Sequence, residues 1–565
     1  LKKLLCILVL LSGFQFSLAV NRVSVGTGNW NTAATWSPAG VPGAADNITI
    51  LAGHTITMNA NGANCLSLTV NGTALWAQNR TTNVGIGGCT VSTTGDLAGT
   101  NGRLNCTGNL VLNAITTSTG LRVRMRTIPN LVVSGTGSLA WLSLRTNTSN
   151  TGNITVRTTL DGNRTLTNAA NATLNIGCAS VPINVTATAV GNTVNYNGAG
   201  AQTVISMDYY NLSITKSGGT ASLAGNSTIA NNLNVAQGVF SYSGNNFTCG
   251  ATATVSGTFL ITNTGGNKNF NNVTVNTVGT WNSTVAENYG ISGNLRNDGS
   301  FIANTGTYSL TGAAKTISGT SAITIANISC TGTYTNNANL TVTASLTGNG
   351  GSTFTQGTIG ILNIATTTAN FSVNNFNASA VGNTVNYSFA GIQNVRIPND
   401  GAYYNLTAGG TGTKSLVANT TINGNLLITS ALTVTASNFN IILGGNWTDT
   451  GTFICSSGLV TLNGSVTQTI TKAAGEVFFN LTAAGSGTKQ LGGNITVIND
   501  LIISSTLNAN GSFSITLGRN WTNSGTFVPQ TGTVMLNGGV TQTITRLAGE
   551  SFFNLIIAGV GTKQL

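Results

Sequence analysis

Apolar and polar residues alternate along the whole chain in short runs of Val, Ile, Leu, Thr and Phe, cut by Asn-Gly, Gly-Thr and Gly-Asn pairs. The stretch Asn494-Ile495-Thr496-Val497-Ile498 is representative. A period of two sends successive side chains to opposite faces of a strand, and β-branched residues suit a pleated, half-buried surface. The pattern therefore predicts many short strands with one buried face. Runs of Ala, Leu, Glu and Lys that would favour helix are missing. The chain reads as all-β.

A longer pattern overlies this alternation. An aromatic or aliphatic residue, any residue, Asn and an aliphatic residue recur as a signature at Asn130, Asn211, Asn272, Asn327, Asn405, Asn480 and Asn554, with spacings of 81, 61, 55, 78, 75 and 74 residues. Each spacing is close to three or four times about 18–20 residues, the length of one coil of a β-solenoid. The last copies are clearest: GNWTDTGTF around Trp447 returns as RNWTNSGTF around Trp521, and VTQTITKAAGEVFFNL as VTQTITRLAGESFFNL, both at an offset of 74. AVGNTVNY occurs at residues 189–196 and again at 380–387. The body arose by duplication.

A unit this short cannot bury an apolar face alone. Stacked coil on coil, each strand gains hydrogen-bonded neighbours above and below, and inward Val, Ile, Leu and Phe form a continuous core. Asn beside Gly at the turns can then stack into amide ladders. Parallel crossovers wind right-handed by default. The expected fold is a right-handed parallel β-helix, or β-solenoid, of about 28 coils, a rod on the order of 135 Å at about 4.8 Å per coil. The repeat aromatics Tyr404, Phe479 and Phe553 are expected to point inward or into the packing between coils.

Composition narrows the class. Charged residues make up 6% and apolar residues 41%, against roughly 25% charged in ordinary globular domains. That excludes a disordered polyelectrolyte, and 72 Gly with only 6 Pro exclude collagen. Lys2 and Lys3, an apolar run from Leu4 to Leu11 and Ser17-Leu18-Ala19 have the layout of an export signal over residues 1–19. No later run approaches the ~18 apolar residues of a membrane helix, so no membrane-spanning segment is expected after the signal and the body is expected outside the cell or on its outer surface. Seven cysteines then remain, Cys65, Cys89, Cys106, Cys178, Cys249, Cys330 and Cys455, with no CxxC pair. They suit buried small apolar positions, with a Cys89–Cys106 disulfide between adjacent coils as the open alternative.

Two resemblances carry the reading further. GTGNWNTAATW with Trp30 and Trp36, VPGAADNITILAGHTITM, and LSLTVNGTALW ending at Trp76 together resemble the glycine-rich N-terminal module of extracellular β-helix proteins, which implies a cap over residues 20–76. The GNW, GTF, QTI, FFNL and GTKQL elements of the 74-residue repeats are similar to those of large, repeat-rich surface adhesins of gram-negative bacteria that carry a C-terminal sorting domain. No such domain follows here; the chain starts with Leu1 and stops at GTKQL in mid-repeat, and so reads as a fragment. The organisation expected is degenerate coils over 77–390 and regular 74–75-residue repeats over 391–565.

The supply of catalytic groups is thin. Eleven carboxylates are scattered singly, and Glu476 and Glu550 recur at the repeat offset, which suits turn residues. The one histidine, His54, lies in a Gly turn and is expected in solvent. Paired-carboxylate, His-pair metal and Ser-His-Asp chemistry are therefore not expected, and neither is a cofactor or metal. Charge is concentrated at one place: residues 80–164 carry eight arginines against Asp96 and Asp161. Arg122, Arg124 and Arg126 alternate with Val123 and Met125, which puts all three on one strand face. Arg145 lies 19 residues after Arg126, and Arg164 another 19 after Arg145, so the three are expected to stack in a column. Such a stripe suits an acidic polysaccharide, extracellular DNA or another extracellular polyanion. The function expected is a non-enzymatic secreted or cell-surface structural and adhesive rod. The alternative is a carbohydrate-active or carbohydrate-binding β-helix protein acting on an extracellular polysaccharide.

Overall fold

The computed structural model describes residues 18–434 and 439–564, so residues 1–17 of the expected export signal lie outside the described residues. The chain is all-β, with parallel strands stacked into a β-solenoid of about 26 coils and almost no helix. It divides into two compact units, Leu1–Asn267 and Lys268–Leu565.

In the first unit, Asn21–Ser24 pairs antiparallel with Trp36–Ser37 and parallel with Asn47–Ile50. Trp30 and Trp36 meet edge to face at 5.4 Å, and the Trp36 indole donates to the Trp30 carbonyl. Parallel pairing then runs coil after coil, as from Asn47–Ile50 to Ala63–Val70 and on to Thr81–Val91. Inward aliphatics such as Ile48, Leu68, Val91 and Leu110 are wholly buried. Outward asparagines form the expected ladders: Asn64, Asn83 and Asn105 are linked amide to amide at 2.9 and 2.7 Å, and Asn153, Asn175 and Asn195 at 2.8 and 2.9 Å. His54 is not a free turn residue, because its Nδ1 lies 2.8 Å from the hydroxyl of buried Ser24.

In the second unit, from residue 402 onward, each coil has three strands on three faces. Leu406, Leu426, Trp447 and Ile470 stack in register on one face. Their repeat equivalents Leu481, Leu501, Trp521 and Ile544 stack in the same way on a different face. From Trp447–Asp449 to its equivalent Trp521–Asn523 the chain lays down eleven strands, which at three per coil make three and two-thirds coils. The sequence repeat is thus not a whole number of coils. Coil length also varies, from 18 residues between Thr488 and Thr506 to 23 between Trp447 and Ile470.

The repeat aromatics correct the expectation. Tyr403 and Phe478, the first of each aromatic pair, are wholly buried, whereas Tyr404 and Phe479 are half-buried at a corner and Phe553 is 60% exposed. All seven described cysteines are free thiols, six of them buried and Cys455 half-buried.

Recurrent Gln and Lys residues satisfy the turn carbonyls inside the coils. Gln468 donates to the carbonyls of Leu443 and Gly445, and Gln542 to those of Leu517 and Arg519. One coil further along, Lys489 is stacked on Gln468 and donates to the carbonyls of Gly464 and Gly487 at 2.9 and 2.7 Å. The first unit repeats the device with Lys216, which donates to the carbonyls of Gly198 and Gly200 and to Gln202. A buried cation is tolerable here because its N–H donors meet turn carbonyls inside the coil.

Candidate polyanion-binding face

The strands Arg103–Cys106, Arg122–Met125, Ser138–Leu144 and Asn153–Gly162 lie side by side in parallel register on the first unit. Alternation sends Leu104, Val123, Met125, Leu142 and Leu144 into the core. The residues between them stack into two outer columns. One runs Arg103, Arg122, Trp141, Thr159 and the other Asn105, Arg124, Ser143, Asp161. Neighbouring strands are about 4.8 Å apart, so the guanidinium groups of successive coils sit within reach of one ligand.

The guanidinium of Arg122 lies 3.4 Å over the Trp141 ring, with an Asp161 carboxylate oxygen 4.0 Å away. Burial, and then the charges of Arg122, Arg103, Arg145 and Arg126, push the pKa of Arg124 below its ordinary value. Burial and the neighbouring Arg103 and Arg145 act likewise on Arg122, partly offset by Asp161. Five arginines therefore face one another with a single carboxylate among them. Arg124 Nε, Asn105 Oδ1, Ser143 Oγ, Asp161 Oδ1 and Trp141 Nε1 are buried without a hydrogen-bond partner among the described residues. All five belong to these two columns. Of these, the Arg124 guanidinium, the Trp141 indole and the Ser143 hydroxyl are donors suited to oxyanions such as sulfate, carboxylate or phosphate, whereas the Asn105 and Asp161 oxygens are acceptors.

The expected residues are placed as follows. Arg122 and Arg124 point outward and are half-buried; Arg126 and Arg145 are exposed and stack on one another, since Met125 is in register with Leu144. Arg164 is not part of this column. The coil between these strands is shorter than 19 residues, 17 from Leu139 to Val156 and 18 from Leu144 to Gly162 after a register shift, so the position that follows Arg145 in the stack is Asn163. Arg164 instead lines a separate polar hollow of about 360 Å³ with Asn147, Asn163 and Asn184. Arg103 belongs to the face and was missed. Its spacing of 19 residues from Arg122 was the available signal. Arg157 is committed elsewhere, donating to the Ser138 hydroxyl and the Ser118 carbonyl.

Most carboxylates are engaged by nearby donors: Asp46 by Arg22, Asp96 by Thr117, Asp298 by Arg296 and Asp400 by the amides of Ala378 and Ser379. Glu476 and Glu550 are not simple turn residues, because they accept the indole N–H of Trp447 and Trp521 at 2.8 and 2.7 Å. Among the described residues no His, Cys, Asp and Glu side chains group in a way that could hold a metal ion, and no helix is long and apolar enough to cross a membrane. Comparison with protein-family models, curated proteins and solved structures found no match.

Proposed function

We propose that the chain is a non-enzymatic, exported structural and adhesive protein, displayed outside the cell, whose arginine face engages an acidic polymer. The observation that carries this reading is the register stacking of Arg103 on Arg122, with Arg124, Arg126 and Arg145 beside them and one carboxylate in the group. A polyanion presents charges at regular intervals, and stacked guanidiniums meet several at once. Repeat architecture, low charge elsewhere and residues 20–76 read as a cap support the same assignment.

The test is retention on immobilised heparin and on DNA. Arg124→Gln, Arg126→Gln and Arg145→Gln combined should elute at clearly lower salt than the parent, and the salt dependence of binding should flatten by about one unit per lost phosphate contact. Arg519→Gln, an exposed arginine of the second unit, serves as the control and should elute with the parent. Equal elution of the triple variant and the parent would remove the reading.

A further inference from the structure

The chain carries a second cluster with chemistry of its own, inside the second unit. Trp447–Asp449 and Gln468–Thr471 are adjacent parallel strands with Thr448 opposite Thr471, so Asp449 and Lys472 are the next pair across the coil boundary. Lys472 Nζ lies 2.5 Å from Asp449 Oδ2 and 3.7 Å from Glu476 Oε1. The Asp449 and Glu476 side chains are 0% and 2% exposed and that of Lys472 is 16% exposed. Trp447, Phe453 and Phe478 pack together beside them, with ring centroids 4.8 to 6.2 Å apart.

We propose that Asp449 and Lys472 become joined by a side-chain amide bond, a covalent staple between successive coils, with Glu476 as the proton-transfer group. The surroundings favour this in three ways. The Asp449 and Glu476 side chains are almost fully buried beside an aromatic wall, which keeps water from the carboxyl carbon and from the bond once formed. Asp449 Oδ1 accepts the Gly451 N–H at 2.7 Å, a donor placed to hold negative charge as it develops on that oxygen. Glu476 is fixed by the Trp447 indole, and burial pushes its pKa up to about 7, so that a carboxylic acid proton is present near neutrality.

The step balances without an oxidant. The ammonium gives a proton to Oδ2, and the freed amine attacks the carboxyl carbon. Glu476, protonated at the start, gives its proton to the departing oxygen and takes one from nitrogen, which restores the acid. One C–N bond forms, one C–O bond breaks and one water leaves, with no net change of protonation.

The next repeat supplies the contrast. There Arg546, Asn523 and Glu550 replace Lys472, Asp449 and Glu476, and Glu550 is held by Trp521, Asn523 and Arg546 at 2.7, 2.7 and 2.5 Å. A guanidinium stays protonated and is no nucleophile, so the same fold occurs there without the reactive pair.

Intact-mass measurement of the purified, folded chain, followed by tandem mass spectrometry of its proteolytic peptides, tests this. The parent should be lighter than its sequence by one water and should yield a branched peptide joining Asp449 to Lys472. Lys472→Arg, which installs the residue of the sister repeat, should fold and keep its full mass. Glu476→Gln should fold with the cross-link strongly reduced. An unmodified mass in the folded parent would overturn the proposal, as would a lost water that persists in Lys472→Arg or maps to other residues. Undiminished cross-linking in Glu476→Gln would overturn the role given to Glu476.

Discussion

At the scale of single residues, stability depends on polar groups that satisfy the inside of the coil. Burial lowers the pKa of Lys216, Lys414 and Lys489. The unfolded chain therefore binds more protons than the folded one as pH rises toward the ordinary lysine value of about 10.4, and over that window the folded state gains stability. Lys489→Met removes the side-chain donor to the carbonyls of Gly464 and Gly487, the first of which keeps the Gly487 N–H, and should cost about 1–3 kcal/mol near neutrality. The gap between parent and variant should change with pH, the parent gaining on the variant as the solution becomes alkaline. Thermal melts across alkaline pH check the sign. The thiols give a second expectation, since burial pushes Cys249 and Cys330 up to about 11. Neither should react with iodoacetamide at a pH near 8 in the folded chain, and both should react after unfolding. Rapid labelling of either without denaturant would contradict the burial.

At the scale of the element, the corner decides what a side chain does. Glu476–Phe478 ends with Phe478 in the core, Phe479 forms the corner, and Asn480–Ala483 begins the next face with Leu481 inward. Phe478→Asp should cost on the order of 3–5 kcal/mol, through a lost aromatic contact and a buried charge. Phe479→Asp should cost far less, and denaturant unfolding of the two variants checks the order. The strands were legible because period-two alternation is local. Which of two adjacent aromatics is inward was not, because the alternation restarts at each corner and no local signal marks the corner's position. The arginine face shows the same limit: a constant spacing of 19 fits the coil from Met125 to Leu144, but the next coil is 17 to 18 residues long, and that leaves Arg164 out of line. The Asp449, Lys472 and Glu476 cluster was hidden for a related reason, as residues 23 and 27 positions apart meet only if the coil length between them is known.

At the scale of the whole molecule, sequence repeat and coil are separate periodicities. Within the second unit, Asn405, Asn480 and Asn554 are equivalent in sequence and lie on three different faces. Lys414, Lys489 and Lys563 do the same. Three copies of one repeat therefore present any outward group in three directions around the coil axis. It also means that side-chain complementarity is inherited by repeat and not by coil, because each residue packs on neighbours about one coil earlier in the chain. Deleting residues 448–521 removes one 74-residue repeat and joins Trp447 to Thr522. Every strand beyond the junction then meets the neighbours its sequence is matched to, although all later faces are rotated by a third of a turn. Deleting residues 448–470 removes one coil of 23 residues and keeps the faces aligned, but it sets each later strand on a mismatched partner. The first deletion should melt within a few degrees of the parent and resist protease equally. The second should lose several kcal/mol locally, through cavities and unpaired Gln and Lys groups. If the one-coil deletion proves the more stable of the two, face alignment rather than the repeat would be what holds the coils together.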